Sequence, residues 1–582
     1  TDLFAVDILS KEKQLLTNTA YDEGGPFWTP DGRSLLFTSN RFGHSFPEFS
    51  GKWDLYQLHL EPQKPEFEED DFEKLFRPEE DAADKNDTKK KDVPHVELTL
   101  KDIDRQTQPV TDTLGDDREF ILNPKDGTTV YFVSTTDGPA HLWTTSLDKK
   151  KRGKYEPFVP AVFSPRQLQT DGKGTSLYYL SRGAIGRIDL GSNRSSPISF
   201  STRIEVDKTA DYEQMLGELY YTMRSYYYDD KFHNVDWTAL YEQHRPVLQQ
   251  VREDADFYAY ANMLIGYLNS SHTGIRGPFS ERTVKPSAHI GADWTISNGR
   301  FFLKHILSEG PLDAHRDTIS PGDRIAAVND TPLSADSSIW TLLNGQLNRR
   351  LKLTFIRKSD TKQVDLQIEP LSSGAENRLR LVEWVSANRD RVREKTGDRA
   401  AYLYMSAMGQ SNLSRFLKEL ERDAFPRKGV ILDLRYNFGG NVHDRVLQAL
   451  MKPVYAKWRV RGMSETPQST FGMANKPVVL LINEVTLSDG EMTANGFKAL
   501  KRGPVVGNTT YGWLIFTTSA RLMNGGSFRL PFWGCYTLDG QDLETSGGVK
   551  PDIVVINDLN HDLLGQDPQL DKAIETLLNL IK

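Results

Sequence analysis

The sequence predicts a multidomain protein: a partial β-propeller over residues 1–204, a helical segment over 205–284, a small β domain over 285–372 and an α/β sandwich domain over 373–582. Three observations support this prediction. Asp-Gly turns recur between strand-like runs, helical periodicity begins near residue 205, and continuous apolar runs end in polar or glycine-rich loops after residue 430. At roughly 100–200 residues per domain, the 582 residues suit three to five domains.

The first domain is predicted from a repeated turn. Asp31-Gly32, Asp126-Gly127 and Asp171-Gly172 each lead into an apolar run, and a second strand-like run follows. An Asp-Gly turn between such runs predicts a β-hairpin, and its recurrence indicates propeller blades of four strands each. The visible repeats are too few for a long ring, so we expect a short or truncated propeller. The chain begins at Thr1 and carries no signal-like apolar stretch, so we expect a preceding part to be missing.

An acidic insertion interrupts this repeat near residues 66–92, which hold 12 acidic and 6 basic side chains. Such a charge run buries too little apolar surface to order itself, which predicts a solvated loop. A docking element is the alternative. The insertion holds most of the surplus of acidic over basic residues in the chain, so the charge says nothing about the substrate.

The second segment is predicted from its apolar spacing. Between Tyr212 and Tyr227, large apolar side chains recur at helical intervals, and this stripe is expected to be core. Further helix is predicted from Leu240 to Leu268. It ends at a polar turn that contains Ser271-His272.

The third domain is predicted from three strand-like runs and one turn. Pro321-Gly322-Asp323-Arg324-Ile325 opens the middle run, and the arrangement resembles a PDZ domain. PDZ domains bind extended peptides by adding them to a sheet edge. The alternative is that this domain serves only as a structural cap beside a larger site.

The fourth domain carries the chemistry. An apolar strand at 430–434 leads into Arg435-x-Asn437-x-Gly439-Gly440, and a second strand at 477–482 leads into Ser488-Asp489-Gly490-Glu491. A strand–loop–helix alternation gathers such loops at the carboxyl ends of the strands. Ser488 there has two interpretations: a helix N-cap paired with Glu491, or a nucleophile beside amides that can hold an anion.

The motifs as a set resemble the tail-specific serine peptidases, and within them the tricorn branch. The motifs are the Arg-x-Asn-x-Gly-Gly loop, the apolar strand before Ser488, the 507–512 segment, the upstream Ser271-His272 pair, and Glu544 ahead of Gly548-Val549-Lys550-Pro551-Asp552. One extra glycine separates Glu544 from its family position. The resemblance covers almost the whole chain, as the carboxyl-terminal half of a tricorn protease.

The resemblance implies a serine endopeptidase that cuts short or unfolded peptides through an acyl-enzyme. Ser488 would be the nucleophile and His272 its general base, while Ser271 and Glu544 would orient and polarise the imidazole. Propeller and PDZ domain would restrict access to the site. A catalytically silent peptide-binding scaffold is the alternative function.

The backbone amides of Gly440 and Asp489 would form the oxyanion hole, with Gly439 as an alternative to Gly440. His443 is the competing base, and the extra glycine leaves Asp542 as an alternative to Glu544.

A third function, a processing peptidase of the Ser–Lys type, is disfavoured because Trp513 stands where that branch carries lysine. A displaced dyad would use Lys498 or Lys501.

Composition and resemblance set the expected partners. A pI near 5.9 disfavours nucleic-acid binding, and no apolar run approaches the ~20 residues of a membrane span. Cys535 is the only cysteine, so an intramolecular disulfide is excluded, and no Cys/His cluster suggests a zinc site. The resemblance implies that no metal or other cofactor is needed. In tricorn, an acidic residue in the stretch that matches 454–459 helps to select basic side chains at the cleavage site. This stretch has no acid here, so a preference for hydrophobic or small side chains is at least as plausible.

The resemblance suggests a homo-oligomer, specifically a hexamer, in the cytoplasm, with the periplasm as the alternative.

Overall fold

The computed structural model describes residues 2–19, 21–41, 52–61, 106–148, 151, 153–158, 162–203, 205–278 and 285–582. The acidic insertion predicted near 66–92 lies outside these residues. The chain forms two compact units, Thr1–Ile204 and Glu205–Lys582.

The first unit is built from antiparallel strands. Three sheets have four strands each, in the orders β3-β4-β5-β6, β7-β8-β9-β10 and β11-β12-β13-β14, and β1 pairs with β2. The strands are β1 Phe4–Val6, β2 Lys13–Leu15, β3 Glu23–Trp28, β4 Ser34–Ser39, β5 Asp54–His59, β6 Thr107–Pro109, β7 Asp117–Leu122, β8 Thr129–Ser134, β9 His141–Ser146, β10 Glu156–Pro157, β11 Arg166–Thr170, β12 Ser176–Ser181, β13 Ala184–Asp189 and β14 Arg194–Ile198.

The three Asp-Gly turns lie where the sequence predicts hairpins, between the first and second strand of each four-stranded sheet. Asp126 shows why the residue suits the turn: its Oδ1 accepts the amides of Thr128 and Thr129, both at 2.8 Å. Gly127 adopts φ +67°, a conformation that glycine reaches without steric cost. The hairpin prediction is confirmed.

The second unit begins with the predicted helices. They are α1 Lys208–Tyr226, α2 Trp237–His244 and α3 Asp254–Gly266, with 3₁₀ turns at Phe232–Asn234 and Arg245–Gln250. The apolar stripe of α1 is buried against α2 and α3, so its interpretation as core is confirmed.

Residues 285–372 contain an antiparallel sheet of six strands in the order β16-β17-β18-β20-β21, with β19 paired to β18. The elements are β16 Ala292–Ser297, β17 Arg300–Ile306, β18 Arg324–Val328, β19 Thr331–Pro332, α4 Ile339–Leu343, β20 Leu351–Ile356 and β21 Gln363–Ile368, with a 3₁₀ turn at Asp313–His315. The three predicted runs all form strands, and β17, β18 and β20 contain them.

The carboxyl-terminal part has a parallel sheet of five strands in the order β22-β23-β26-β27-β30. Its strands are β22 Ala400–Tyr404, β23 Gly429–Asp433, β26 Val478–Ile482, β27 Val505–Gly507 and β30 Ile553–Val554. Its helices are α5 Ser373–Thr396, α6 Gln410–Glu419, α7 His443–Met451, α8 Asp489–Ala499, α9 Leu559–Leu563 and α10 Pro568–Leu580, with a π-helical turn at Leu420–Ala424.

Helices cover both faces of this sheet, which explains the continuous apolar runs. Val430 and Leu432 pack with residues of α6, α7 and α8, whereas Ile431 between them packs with residues of α5 and α10. Successive side chains of a strand point to opposite faces, so a strand buried on both faces needs an apolar residue at every position. The predicted α/β sandwich is therefore present.

Two smaller sheets complete the unit. Strands β24 Ala456–Trp458 and β25 Thr466–Gln468 form a hairpin, and β15 Gly274–Arg276 pairs with β29 Ser527–Gly534, which also pairs with β28 Ile515–Arg521. The strand after Ser271-His272 thus belongs to the same sheet as strands of the α/β part. This pairing joins the segment that contains Ser271-His272 to the carboxyl-terminal part, which contains the other candidate site residues.

Candidate active site

Ser488 lies between the end of β26 and the start of α8. Its backbone has φ +56° and ψ −122°, a region that non-glycine residues enter at a cost of roughly 1–3 kcal/mol and mostly at functional sites. The predicted N-cap position is also correct, because α8 begins at Asp489 and Glu491 accepts the Ser488 amide at 2.9 Å. The cap position and the nucleophile interpretation are compatible.

The Glu491 carboxylate is fully buried and joins Ser488 to the 507–513 segment. It accepts the Thr510 hydroxyl at 2.6 Å and the amides of Gly512 and Trp513 at 2.7 and 2.9 Å. The sequence showed Glu491 only as a cap partner. Its wider role was missed, because nothing in the local pattern shows which loop lies above a helix start.

The glycine loop is fixed by Asn437, which is fully buried. Its Nδ2 donates to the Met405 carbonyl at 2.7 Å, its Oδ1 accepts the Gly439 amide at 2.9 Å, and its carbonyl accepts the Leu487 amide at 3.0 Å. The last contact ties the loop to the residue before Ser488. The asparagine of the motif therefore holds the loop in place, in addition to any role of the glycines.

Gly439 lies directly against Ser488. A Cβ placed on Gly439 would be 2.6 Å from the Ser488 Cβ and 3.1 Å from both its Oγ and the Asp489 amide nitrogen. The Gly439 amide is already bonded to Asn437. By contrast, among the described residues no protein acceptor receives the amides of Gly440 and Asp489. This difference favours Gly440 over Gly439 as the first anion donor.

Ser271 and Glu544 are in contact. Glu544 accepts the Ser271 amide at 2.5 Å and its hydroxyl at 2.8 Å, and both residues are buried. Burial raises the pKa of Glu544, and the two bonds from Ser271 oppose that rise. The alternative acid, Asp542, instead accepts the Tyr228 hydroxyl at 3.0 Å, so the extra glycine leaves Glu544 as the partner of Ser271.

His272 follows Ser271 at φ +55°, and its ring packs edge-on against Trp513 with centroids 5.9 Å apart. Burial, helped by the nearby Arg529 charge, lowers the pKa of His272 to about 4. The imidazole is therefore neutral near pH 7 and able to accept a proton. Trp513, which the sequence marked only as a replaced lysine, connects His272 to the Ser488 region because its amide shares the Glu491 carboxylate with the Ser488 amide.

Two of the three competing bases, His443 and Lys498, have other partners. His443 Nδ1 lies 2.5 Å from Asp489 Oδ1; burial alone would lower the pKa of His443, but the hydrogen bond and charge of Asp489 raise it. Lys498 donates to the Lys550 carbonyl at 2.6 Å near the far end of α8, about 15 Å along the helix from Ser488. Lys501 lies beyond that end.

Two further properties concern ligands and membranes. Within the described parts of the chain, no group of three His, Cys, Asp or Glu side chains is arranged to hold a metal ion. No helix there is long and apolar enough to cross a membrane.

Two family models match this chain. Residues 399–555 match Peptidase family S41, and residues 208–264 match the Tricorn protease C1 domain. The first match covers β22 to β30 and contains the glycine loop, Ser488 and Glu544.

Relatives extend the similarity. Tricorn protease homolog 1 of Streptomyces coelicolor is 29% identical over 427 residues, covering 71% of this chain and 39% of the homolog. Tricorn protease of Thermoplasma acidophilum is 23% identical over 506 residues, covering 84% and 46%. This chain thus spans less than half the length of these relatives. The crystal structure of the tricorn protease superposes with a TM-score of 0.78 at 20% identity, over 99% of this chain and 57% of the other.

Proposed function

This is a tricorn-like chain with a serine peptidase domain of family S41, and we propose that it is a serine endopeptidase that cuts short or unfolded peptides. One observation carries the proposal. Ser488 occupies a strained turn against the glycine loop, and among the described residues no protein acceptor receives the backbone amides of Gly440 and Asp489. A strained serine beside free amides suits attack on a carbonyl and stabilisation of the resulting anion.

In the proposed mechanism, neutral His272 removes the Ser488 proton as the hydroxyl attacks the scissile carbonyl. The amides of Gly440 and Asp489 bind the oxyanion, a contribution of roughly 3–4 kcal/mol per donor in comparable sites. His272 then protonates the leaving amine, and a water molecule hydrolyses the acyl-enzyme by the same route.

Ser271 and Glu544 position His272 in this mechanism. Their two hydrogen bonds fix the backbone and side chain of the residue immediately before the base. Holding the base in one orientation lowers the entropy cost of the proton transfer.

We extend the proposal to side-chain preference, favouring apolar residues at the cleaved bond. Phe438 in the glycine loop is 66% exposed, and Tyr511 and Trp513 in the 507–513 segment are 47% and 41% exposed. In the hairpin of β24 and β25, Lys457 and Arg459 pair with Glu465. According to the resemblance, the stretch 454–459 is where tricorn carries the acid that selects basic side chains, and here it has two basic residues and no acid.

The proposal also includes the domain types, the compartment and the assembly that the resemblance suggests. The three four-stranded sheets of the first unit are propeller blades, residues 285–372 are a PDZ-like domain, and the protein is a cytoplasmic homo-oligomer, with a hexamer as the expected size. Sedimentation of the purified full chain tests the assembly: a single species at monomer mass across concentrations would contradict it.

The decisive experiment is labelling with a fluorophosphonate probe. We expect the wild type to be labelled, Ser488→Ala to be unlabelled, and His272→Ala to label at least about 100-fold more slowly, with exposed Ser411→Ala as the matched control. An unlabelled wild type would support the silent scaffold instead. Labelling that survives Ser488→Ala would exclude Ser488 as nucleophile.

Matched peptides that differ only in phenylalanine or arginine at one position test the preference. We expect kcat/KM to be roughly 10-fold higher for the phenylalanine peptide, because burying part of one aromatic side chain stabilises the complex by about 1.4 kcal/mol. Equal cleavage, or faster cleavage after arginine, would refute the apolar preference without affecting the mechanism.

A further inference from the structure

Strand β28 lies at the edge of its sheet and begins beside the candidate active site. Among the described residues, the order β15-β29-β28 leaves one side of β28 without a neighbouring strand, and this side is the outer edge. Trp513, two residues before the strand, packs against the ring of His272. Phe516, within the strand, has its ring centroid 6.2 Å from that of His443, which in turn contacts Asp489. The outer edge therefore starts between the proposed base and a proposed oxyanion donor.

The register shows which backbone groups point to the outer edge. The Leu522 amide donates to the Gly526 carbonyl at 2.8 Å and closes the turn between β28 and β29. Hydrogen-bonded and non-hydrogen-bonded positions alternate along an antiparallel pair. Counting back from Leu522, the positions that direct their amides and carbonyls away from β29 are Thr517, Ser519 and Arg521.

Pro531 supports this alternation. It lies opposite Thr517 and has no N–H to donate, and its carbonyl accepts the Tyr228 amide at 3.1 Å instead of pairing with β28. Among the described residues, no other segment forms hydrogen bonds with the outward amides and carbonyls of β28. A sheet edge with unpaired groups at every second residue can accept an extended peptide as a further strand.

The exposed face of this sheet is positively charged. Strands β15, β28 and β29 contain three arginines and no acidic residue. Side chains opposite each other in an antiparallel pair share a face, so Arg529 and Ser519 lie on the same face as Ser527 and Arg521. The other face carries Phe528 and packs into the apolar core. Both arginines are exposed, and within the described parts of the chain neither has a carboxylate partner.

Arg529 reaches toward the outer edge although it lies on the central strand. Its Nη2 donates to the Thr517 hydroxyl on β28 at 2.8 Å. Arg521 is on β28 itself, two residues and about 7 Å along the strand from Ser519, which lies opposite Arg529. Side chains on one side of an extended peptide repeat at the same interval of about 7 Å. The third arginine, Arg276, is on β15 at the opposite edge of the sheet.

The position of the base indicates which part of a substrate would meet these arginines. In the proposed mechanism His272 protonates the leaving amine, so the leaving segment lies on the His272 side of the scissile bond. Strand β15 begins two residues after His272, and its Gly274 is paired with Arg529. Burial, and after it the Arg529 charge, lower the pKa of His272, so that charge acts at the base. The arginines therefore lie beside the leaving segment.

We propose that the outer edge of β28, with Arg529 and Arg521, is a subsite that selects acidic side chains in the leaving segment of the peptide substrate. The extended segment adds to β28 as a further strand, and two of its carboxylates contact the two guanidinium groups. The inference rests on the proposed function, because it names the substrate class of the same site. It is compatible with the apolar preference, which concerns the residue at the cleaved bond.

Matched peptides test the charge preference. Both have the same residue at the cleaved bond, and after that bond one carries two glutamates, separated by one residue, where the other carries two glutamines. We expect wild-type kcat/KM to be roughly 10-fold higher for the glutamate peptide at low ionic strength, mainly through KM, and this ratio to fall as salt is added. A ratio near 1 at low ionic strength would overturn the inference.

Two further peptides separate the position and the source of the carboxylate. Moving the glutamates to the amino side of the cleaved bond should abolish the gain, and an equal gain there would contradict the assignment to the leaving segment. The glutamine peptide is also compared with a free terminal carboxylate and with a terminal amide. We expect the free terminus to add less than the glutamates do. If it reproduced the full gain, the ligand would be a peptide terminus and the inference would be wrong.

Arg529→Gln and Arg521→Gln remove the two charges. We expect each to lower the glutamate-to-glutamine ratio roughly threefold, and the double variant to bring it to about 1. Because Arg529 also acts on His272, the two peptides are compared on the same variant, so that a change in the base cancels. Arg378→Gln is the matched control, because Arg378 is an exposed arginine on α5, outside this sheet. A double variant that kept the wild-type ratio would overturn the inference.

N-methylation of the peptide tests the strand addition without changing the protein. Each N-methyl group removes one amide donor, and only every second amide of an added strand points at β28. We measure binding to full-length Ser488→Ala protein, so that the peptide is not consumed. We expect N-methylation of successive residues in the leaving segment to weaken binding roughly 5–10-fold at alternate positions only. Equal effects at all positions would contradict strand addition.

Binding to Ser488→Ala protein, followed by fluorescence anisotropy, also separates this inference from the proposed function. If the fluorophosphonate probe does not label the wild type but the glutamate peptide binds roughly 10-fold more tightly than the glutamine peptide, only the proposed function fails. If labelling depends on Ser488 and the two peptides bind equally, only the acidic subsite fails.

Discussion

Glu544 accepts two hydrogen bonds from Ser271, one from its amide at 2.5 Å and one from its hydroxyl at 2.8 Å, across 273 positions of sequence. The carboxylate therefore ties the residue before the proposed base to the segment that follows β29. Because both side chains are buried, solvent cannot replace a bond that is lost.

Glu544→Gln tests this pair. The side-chain amide nitrogen cannot accept, so one Ser271 donor loses its partner, and we expect the labelling rate to fall on the order of 10–100-fold. Asp539→Asn, at an acid five positions earlier, is the control. A labelling rate equal to wild type in a folded Glu544→Gln protein would show that Glu544 does not support the base.

Gly439→Ala tests the contact between the glycine loop and the nucleophile. The new methyl group would lie 2.6 Å from the Ser488 Cβ, at a backbone φ of +79°, so Ser488 must move. We expect labelling to fall on the order of 100-fold, as when an oxyanion donor is displaced. Gly397→Ala is the matched control: φ is +57° and nothing lies within 4 Å, so it should cost roughly 1–2 kcal/mol of stability without loss of labelling.

Arg529→Gln tests the electrostatics of His272. Burial first, and then the Arg529 charge, lower the pKa of His272 to about 4 from 6.5. His272 therefore remains neutral until the pH falls to about 4. Its burial as a neutral imidazole contributes stability that is fully present above pH 6.5 and is lost as the pH falls from 6.5 through about 4.

Removing the Arg529 charge should raise the pKa of His272 and move the acid limb of the labelling rate to higher pH. The exposed Arg276 on the adjoining strand β15 offers the control Arg276→Gln. An acid limb that stays in place, or moves to lower pH, would contradict the assignment of His272 as the base.

Arg435→Met tests the buried ion cluster before the glycine loop. Arg435 is 1% exposed, and its guanidinium bonds Asp433 at 2.7 and 3.0 Å and Asp567 at 2.7 Å. Removing it leaves two carboxylates uncompensated, and we expect urea denaturation to show a loss of roughly 3–5 kcal/mol. The exposed pair of Arg393 and Asp390 supplies the control Arg393→Met, which should change stability little.

The fold could be predicted where local sequence carries the signal. Asp-Gly turns mark the hairpins of the first unit, and uninterrupted apolar runs mark β23 and β26, because a strand buried on both faces excludes polar side chains. The same reasoning placed Ser488 at a helix start. Glu491 shows the limit: its spacing from Ser488 identified a cap, but its bonds to Thr510, Gly512 and Trp513 depend on a loop brought over α8 by the sheet.

The sequence by itself determined the element types, the residue chemistry and the candidate set of Ser488, His272, Ser271 and Glu544. Only the tertiary structure decided between alternatives that are equal in local pattern. It paired Ser271 with Glu544, Asp542 with Tyr228, and His443 with Asp489. It also engaged the Gly439 amide, whereas the Gly440 amide has no protein acceptor within the described parts of the chain. The physical reason is that hydrogen bonds depend on distance and direction to about an ångström, and these contacts join segments up to 314 residues apart.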